Sequence, residues 1–480
     1  MPPSFVLSFK KNISVIEELS DRVVVQSPRI QGNIPQYTLN LEQVSPGLLS
    51  AIRTLAADGA TEEHLSDLLL RTDGFSELAK FYYYLQQFIN LGLICHTVLS
   101  EGLPLVTRVS IHPSDKFQLR EAAIDQNYVL SRFAYCHKNR EQLVLESPLS
   151  HAEIILADWK GAALIAELAK PQTCQELYGK IPGISEETIE GFLSLLLSTG
   201  MLGEVKEDGK IKEEENETLF QWEFHDLLFH SRTRKGRHSN PIGQTYRFLE
   251  KENIKQLPCV KPKASNEIIE LYKPDIQKLK ELDYPFTLVL EERKSIRSYK
   301  DEPITDTQLG EFLYRSARVK GLFLKDYGEC TNRPYPCSGA RYELELYITV
   351  NSCDNIPSGL YHYCPVDHQL CKLAERNSQV EALLETAGLA IGQLHLPQIL
   401  ITIAARFQRA AWVYESIAYA GILKNVGVLY QTMYLVATAM NLAACGNGCG
   451  DSDLFAAAVG TDYYQESSVG EFILGSKPRL

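Results

Sequence analysis

Two guanidiniums and two serine hydroxyls stand within seven residues in Arg293-Lys294-Ser295-Ile296-Arg297-Ser298-Tyr299. In an extended segment alternate residues point to one side, so Arg293, Ser295 and Arg297 would offer one anion several charge-assisted hydrogen bonds, and a phosphate suits that set. A short basic run is more often a solvated face, so the motif alone is weak. Further on, RPYPCSGARYELELY sets Pro334, Pro336, Ser338 and Gly339 just before a strand-like run. The prolines fix the chain, the glycine permits close backbone approach and the serine adds a hydroxyl, which would frame a flat ligand edge or simply make a rigid surface turn. A third segment, ACGNGCGDSD, follows a long apolar run. There Gly446, Gly448 and Gly450 would leave backbone N–H groups facing a ligand, or would mark a helix stop before a new N-cap at Asp451 or Ser452.

The elements that must position these groups can be read from periodicity. From Pro285 onward helices and strands alternate over about 200 residues, enough for one α+β domain. DTQLGEFLYRSARV has the spacing of an amphipathic helix, YELELYITV and QILITIAARF alternate as strands, and a long helix is expected from about Glu415 to Asn441. Its stretch VGVLYQTMYLVATAMNLAACG approaches membrane-spanning length. Gln431 and Asn441 within it, and Lys424 and Asn425 just before it, favour a buried central helix that also meets a second subunit.

The N-terminal half carries an imperfect repeat. Val23 to Pro28, VVVQSP, recurs in kind as Leu143 to Pro148, LVLESP, and each copy runs through three helix-like segments to a glycine, Gly92 or Gly200, and a short strand. The glycine suits a left-handed helix stop, which makes each copy winged-helix-like. The polar run Lys206 to Glu217, KEDGKIKEEENE, marks a boundary. The expected organisation is therefore winged-helix-like domains over 1–105 and 106–205, a connector over 206–284 acting as a strap on the next domain, and the α+β domain over 285–480.

Composition bounds the function. With 45% hydrophobic and 22% charged residues in 480, the chain has the make-up of a globular protein of two or more domains. A net charge of −12 argues against broad nucleic-acid or membrane-surface binding, so any anion site is local. The 11 cysteines stand singly, without Cys-x-x-Cys or His-x-x-x-His, so neither a metal site nor a disulfide framework is expected, and reduced thiols point to the cytoplasm. The start, MPPSFVLSFKKNISVIEELS, lacks the pattern of an export signal.

The order of the three segments gives a specific resemblance. RKSIRSY, RPYPCSGARYELELY, SGLYHY, the block VGVLYQTMYLVATAMNLAACGNGCGDSDLFAAAVG and VGEFILG together resemble the FMN-dependent nitroreductase superfamily. Within it they are similar to the peptide-azoline dehydrogenases, above all the cyanobactin thiazoline oxidases, whose N-terminal halves carry winged-helix peptide-clamp domains. The resemblance implies that Arg293 and Ser295 hold the FMN phosphate, and that Arg297 meets the phosphate or the flavin pyrimidine edge. Lys477 or Arg479 meets the phosphate from the C-terminus. Pro336, Cys337, Ser338 and Gly339 reach the flavin of a partner subunit, hence a homodimer, and Gly446, Asn447 and Gly448 lie along the isoalloxazine near N5.

The implied reaction is oxidation of a thiazoline, with oxazolines also open, in a ribosomally made precursor peptide. A base removes the Cα proton, a hydride leaves the neighbouring ring carbon for the flavin, and oxygen reoxidises the flavin. Relatives place a Lys-Tyr pair before the long helix. This chain reads RAAWVYES, with Val413 at the lysine position and Tyr414 retained, so Tyr414 is the expected catalytic residue, helped by Glu415 or His395. The N-terminal domains would bind the leader of the precursor peptide as an added strand. Two other functions use the same motifs: an NAD(P)H-dependent flavin reductase for quinones or nitro compounds, and a non-catalytic FMN-containing scaffold of a modification complex.

Overall fold

The computed structural model describes residues 4–478 apart from residues 20, 29–36, 113, 326–327 and 393–394. The chain divides into two compact units, Met1–Ile242 and Gly243–Leu480. The border falls within the stretch expected to be a connector, and both flanks of that stretch fold into the units they adjoin. In the first unit Ser131 Oγ donates to Glu213 at 2.6 Å, and Arg232 pairs with Glu146 at 2.9 Å. In the second, the strand Ile268–Glu270 pairs with Gln369–Glu375.

The repeat is visible in the first unit. Helices Pro46–Ala56, Glu62–Thr72 and Leu78–Asn90 lead to the strand Ile94–Ser100; helices Trp159–Glu167, Cys174–Leu177 and Glu186–Ser198 lead to Leu202–Glu204. Side chains of Ser45, Thr61, Asp158, Thr173 and Ser185 accept hydrogen bonds from the first turns, as N-caps should. Gly92 and Gly200, at φ 64° and 71°, take the left-handed stop. Each VVVQSP-type segment is the middle strand of an antiparallel meander: Arg22–Gln26 lies between Ser14–Leu19 and Thr38–Leu41, and Gln142–Glu146 between Tyr135–Asn139 and Ala152–Leu156.

The copies are not separate bodies. One seven-stranded antiparallel sheet runs Ala60–Thr61, Val6–Phe9, Ile94–Ser100, Leu103–Ser110, Ala152–Leu156, Gln142–Glu146, Tyr135–Asn139. Its middle strand, Leu103–Ser110, runs across the expected 105/106 boundary and pairs with a strand of each copy. A single hydrophobic cluster fills both, from Leu7 and Phe88 to Phe192 and Leu196.

The second unit is α+β, as the alternation of its segments predicts. Its seven-stranded antiparallel sheet runs Ile268–Glu270, Gln369–Glu375, Gly359–Cys364, Leu344–Val350, Ile399–Arg406, Glu466–Ser476, Leu442–Asn447. Every residue of Leu344–Val350 and Ile399–Arg406 is buried, as expected for central strands covered on both faces. One face packs on helix Asp306–Ala317 and the long helix Ala418–Ala439, the other on Ser378–Ala390 and Ser452–Val459. Among the described residues no helix is long and apolar enough to cross a membrane.

Candidate functional site

Tyr434, four turns along the long helix, gathers the first set of expected site residues. Its hydroxyl receives the Gly446 N–H at 2.7 Å and shares a hydrogen bond with Ser295 Oγ at 2.9 Å, while the Arg293 guanidinium lies 5.3 Å from its ring centroid. The irregular segment 293–300 lies beside the edge strand: the Ile296 N–H donates to the Ala444 carbonyl at 2.9 Å, and the Lys300 N–H to the Ser476 carbonyl at 3.3 Å. Lys477 follows Ser476 directly and so ends beside this segment. Arg297 is exposed, and Arg479 lies outside the described residues.

The glycine-rich segment corrects its expectation in part. Residues Leu442–Asn447 are not a turn but the edge strand of the sheet, and the Gly446 N–H is taken by Tyr434. The reason is packing. A Cβ on Gly446 would meet the Tyr430 ring at 3.4 Å, and one on Gly470 of the next strand would sit 2.4 Å from Tyr430 Oη, so the two glycines make room for the helix tyrosines. Tyr430 Oη donates to the Asn447 carbonyl at 2.7 Å. The turn begins at Gly448, which is exposed and whose N–H has no protein acceptor among the described residues. The Cys449 N–H is held by Asn447 Oδ1 at 3.1 Å.

The second set gathers near the start of the long helix. Asn425, 5% exposed, accepts the Ser338 N–H at 3.2 Å and the Ser338 hydroxyl at 3.3 Å, and donates to Cys337 Sγ at 3.2 Å and Glu343 Oε1 at 2.7 Å. Cys337 Sγ donates to Glu343 Oε2 at 3.3 Å. Burial, then the Glu343 charge, pushes this thiol far up, so it is a neutral, inward-facing group that ties the loop down. Pro336 is exposed at the loop's tip. Gly339 adopts φ 58°, and a Cβ there would lie 2.5 Å from Tyr414 Oη. The loop and Tyr414 are thus in contact, and glycine is required on two counts.

Tyr414 is held from above by the segment expected to be a strap. Gly243–Gln244 pairs with Tyr414–Glu415, and Gln244 Nε2 donates to Tyr414 Oη at 3.2 Å. The N–H groups of Thr245 and Tyr246 donate to the Val413 carbonyl at 3.1 and 3.3 Å. Val413 is fully buried, so its side chain is part of the packing and not of any open site. Neither proposed helper of Tyr414 is free beside it. Glu415 accepts from Thr245 Oγ1 at 3.0 Å and pairs with Arg247 at 3.6 Å. His395 precedes the strand Ile399–Arg406 whereas Tyr414 follows it, a strand length of about 23 Å. The two sets also stand apart within one chain: Asn425 and Tyr434 are separated by about 14 Å along the helix.

Three contributors were not singled out from sequence. Tyr434 sat in a run read only as apolar helix, although Tyr430 and Tyr434 have the i, i+4 spacing of one face. Gln244 lay in the connector and carried no signal. Glu471 did carry one, a lone carboxylate inside the apolar strand run VGEFILG. It is 6% exposed, and burial lifts its carboxyl to about 7 against the hydrogen bonds from Ser468 and the Gly450 N–H. No group of three His, Cys, Asp or Glu residues among those described could hold a metal ion.

Known proteins match in the same order. Residues 1–119 match the family model of the ThcOx helix turn helix domain, residues 128–239 that of the cyanobactin oxidase ThcOx, and residues 290–475 that of the nitroreductase family. A protein of Methanocaldococcus jannaschii named as nitroreductase MJ1384 is 28% identical over 185 residues, 38% of this chain and 85% of the relative. McbC, the microcin B17-processing protein of Escherichia coli, is 29% identical over 114 residues, which span 23% of this chain and 42% of McbC. A chain of the E. coli microcin synthetase McbBCD complex with truncated pro-MccB17 bound aligns at 17% identity over 53% of this chain and 92% of that one, with a TM-score of 0.34.

Proposed function

We propose that this chain, a nitroreductase-superfamily protein that carries the N-terminal domains of cyanobactin oxidases, oxidises azoline rings in a precursor peptide to azoles with FMN as its cofactor. The observation that carries this reading is the convergence of Arg293, Ser295 and Gly446 on Tyr434, next to a turn whose exposed Gly448 has no N–H acceptor among the described residues. The residues fit the group. Arg293, Ser295, Arg297 and Lys477 offer cations and a hydroxyl to a phosphate, and Gly448 offers a donor to a ring edge. When bound, FMN accepts the two electrons that a thiazoline gives up on becoming a thiazole.

The protein's own part is to hold and orient. The loop Pro336–Gly339 stands about 14 Å along the helix from Tyr434, which suits a loop serving the FMN of a second copy. Exposed Phe286, Leu290 and Leu423 supply apolar surface for that copy. At this loop the Tyr414 hydroxyl, fixed by Gln244, is the polar group available to the substrate Cα proton. Val413 cannot take a proton, and its burial means that Tyr414 works without a neighbouring lysine. The first unit holds the leader segment of the peptide, by strand addition to a sheet edge. With dioxygen as final acceptor the sum balances: azoline plus O2 gives azole plus hydrogen peroxide.

Mass spectrometry of a thiazoline-containing precursor peptide incubated with the FMN-loaded protein in air, without NAD(P)H, tests this. The expected result is the loss of two hydrogens per oxidised ring. An unchanged peptide alongside NAD(P)H-dependent quinone reduction would replace this reading with that of a flavin reductase.

A further inference from the structure

Behind the turn at Gly448 a buried carboxylate has no role so far. Glu471 lies on the strand Glu466–Ser476 directly opposite Asn447 on one side and Thr402 on the other, and faces the helices Ser378–Ala390 and Ser452–Val459. A Cβ on Gly450 would sit 2.0 Å from Glu471 Oε1, so the carboxylate fills the room that a side chain would take, and it accepts the Gly450 N–H. A small space of about 10 Å³ is left beside Glu471, Asn447 and Thr402, and among the described residues the buried Asn447 Nδ2 has no partner. That space suits one bridging water.

We infer that Glu471 positions the turn Asn447–Gly450: its carboxylate anchors Gly450, Asn447 anchors Cys449, and the Gly448 N–H is thereby left presented to a ligand acceptor. This rests on reading the turn as the flavin contact. A strand alternating towards a helical layer has no packing use for a carboxylate, and an apolar residue there would leave the Gly450 N–H unanswered. The ionised carboxylate is the stronger acceptor, so the anchor tightens as Glu471 loses its proton.

The surroundings leave that ionisation to Glu471 itself. Its polar neighbours are Thr386, Thr402, Asn447 and Ser468; the other ionisable group lining the space is Asp451, whose carboxylate caps the Leu454 N–H at 2.9 Å. Through the strand, Tyr430 is pushed well up, by burial first and by the Glu471 charge second, and stays neutral. Burial lifts Glu471 to about 7, so about a tenth of the molecules hold it ionised, with the tighter anchor, at pH 6 and about nine tenths at pH 8.

The test is FMN titration of the full-length protein by flavin fluorescence from pH 6 to 8, for wild type and Glu471→Gln. An amide accepts from Gly450 at every pH. From pH 6 to pH 8 wild type should therefore gain up to about tenfold more FMN affinity than Glu471→Gln gains, the ionisation of the FMN phosphate being common to both. An equal gain in the two proteins overturns the inference while leaving FMN binding intact. Wild type that binds no FMN at any pH overturns the proposed function as well. Hydrogen exchange of the peptide spanning the turn in flavin-free protein separates these: after correction for the intrinsic rate, protection should rise with pH in wild type and stay level in Glu471→Gln.

Discussion

Replacing Glu471 by glutamine should stabilise the second unit, by an amount that depends on pH. In the folded chain burial raises this carboxyl from its ordinary 4.5 to about 7. Below pH 4.5 the group is protonated both folded and unfolded, and contributes no linkage. As pH rises from there the unfolded chain releases the proton and the folded one does not, so stability falls by about 1.4 kcal/mol per pH unit until the folded group ionises too. Over the roughly 2.5 pH units between, the loss totals about 3 kcal/mol. Glutamine keeps the acceptor for Gly450 and removes the ionisation. The stability difference between variant and wild type should thus be nearly constant below pH 4.5, grow through pH 5 to 7, and level off about 3 kcal/mol higher above pH 8. Every other titrating group cancels in the difference. For a unit of this size that is a rise in Tm of roughly 6 to 12 °C, readable by calorimetry at pH 4 and pH 8. A difference that does not change with pH would show that Glu471 ionises in the folded protein as it does in water, and would refute the burial argument.

Two further substitutions test the Tyr414 region. Val413→Lys, which writes in the lysine of related enzymes, should fail to raise turnover and should lower Tm, because the position is fully buried and an ammonium there has no open site to reach; faster azoline oxidation in this variant would show that the side chain can reach the substrate. Gly339→Ala combines a left-handed φ of 58° with a Cβ 2.5 Å from Tyr414 Oη, so it should cost about 1 kcal/mol of stability and displace the phenol. The expected readout is a fall in kcat, and unchanged kcat would detach Tyr414 from this loop.

What sequence could and could not disclose follows from the range of the forces involved. The helices of the repeat and their stops at Gly92 and Gly200 were legible because amphipathic spacing, N-caps and left-handed glycines act within one turn of chain. The strands Leu344–Val350 and Ile399–Arg406 were legible from their β-branched content. Gly446 was misread as a turn because glycine is a poor strand former in isolation. Its place in the edge strand depends on Tyr430 and Tyr434 crossing from another element. The same holds for the connector. Nothing local in Gly243–Gln244 announces that it pairs with Tyr414–Glu415, some 170 residues later. Of the site, the residue types at 293–297 and 336–339 were readable, and their division between two ends of one helix was not.

The strand Leu103–Ser110 gives the first unit a property that its repeated sequence hides. Since this strand hydrogen-bonds to both copies, neither copy can melt without stripping an edge from the other, and the two should unfold in one cooperative step. A peptide gripped by either copy would then stiffen both. Protection of the whole unit on binding is therefore no guide to which copy makes the contact, and the docking edge has to be found by substitutions on the strands themselves.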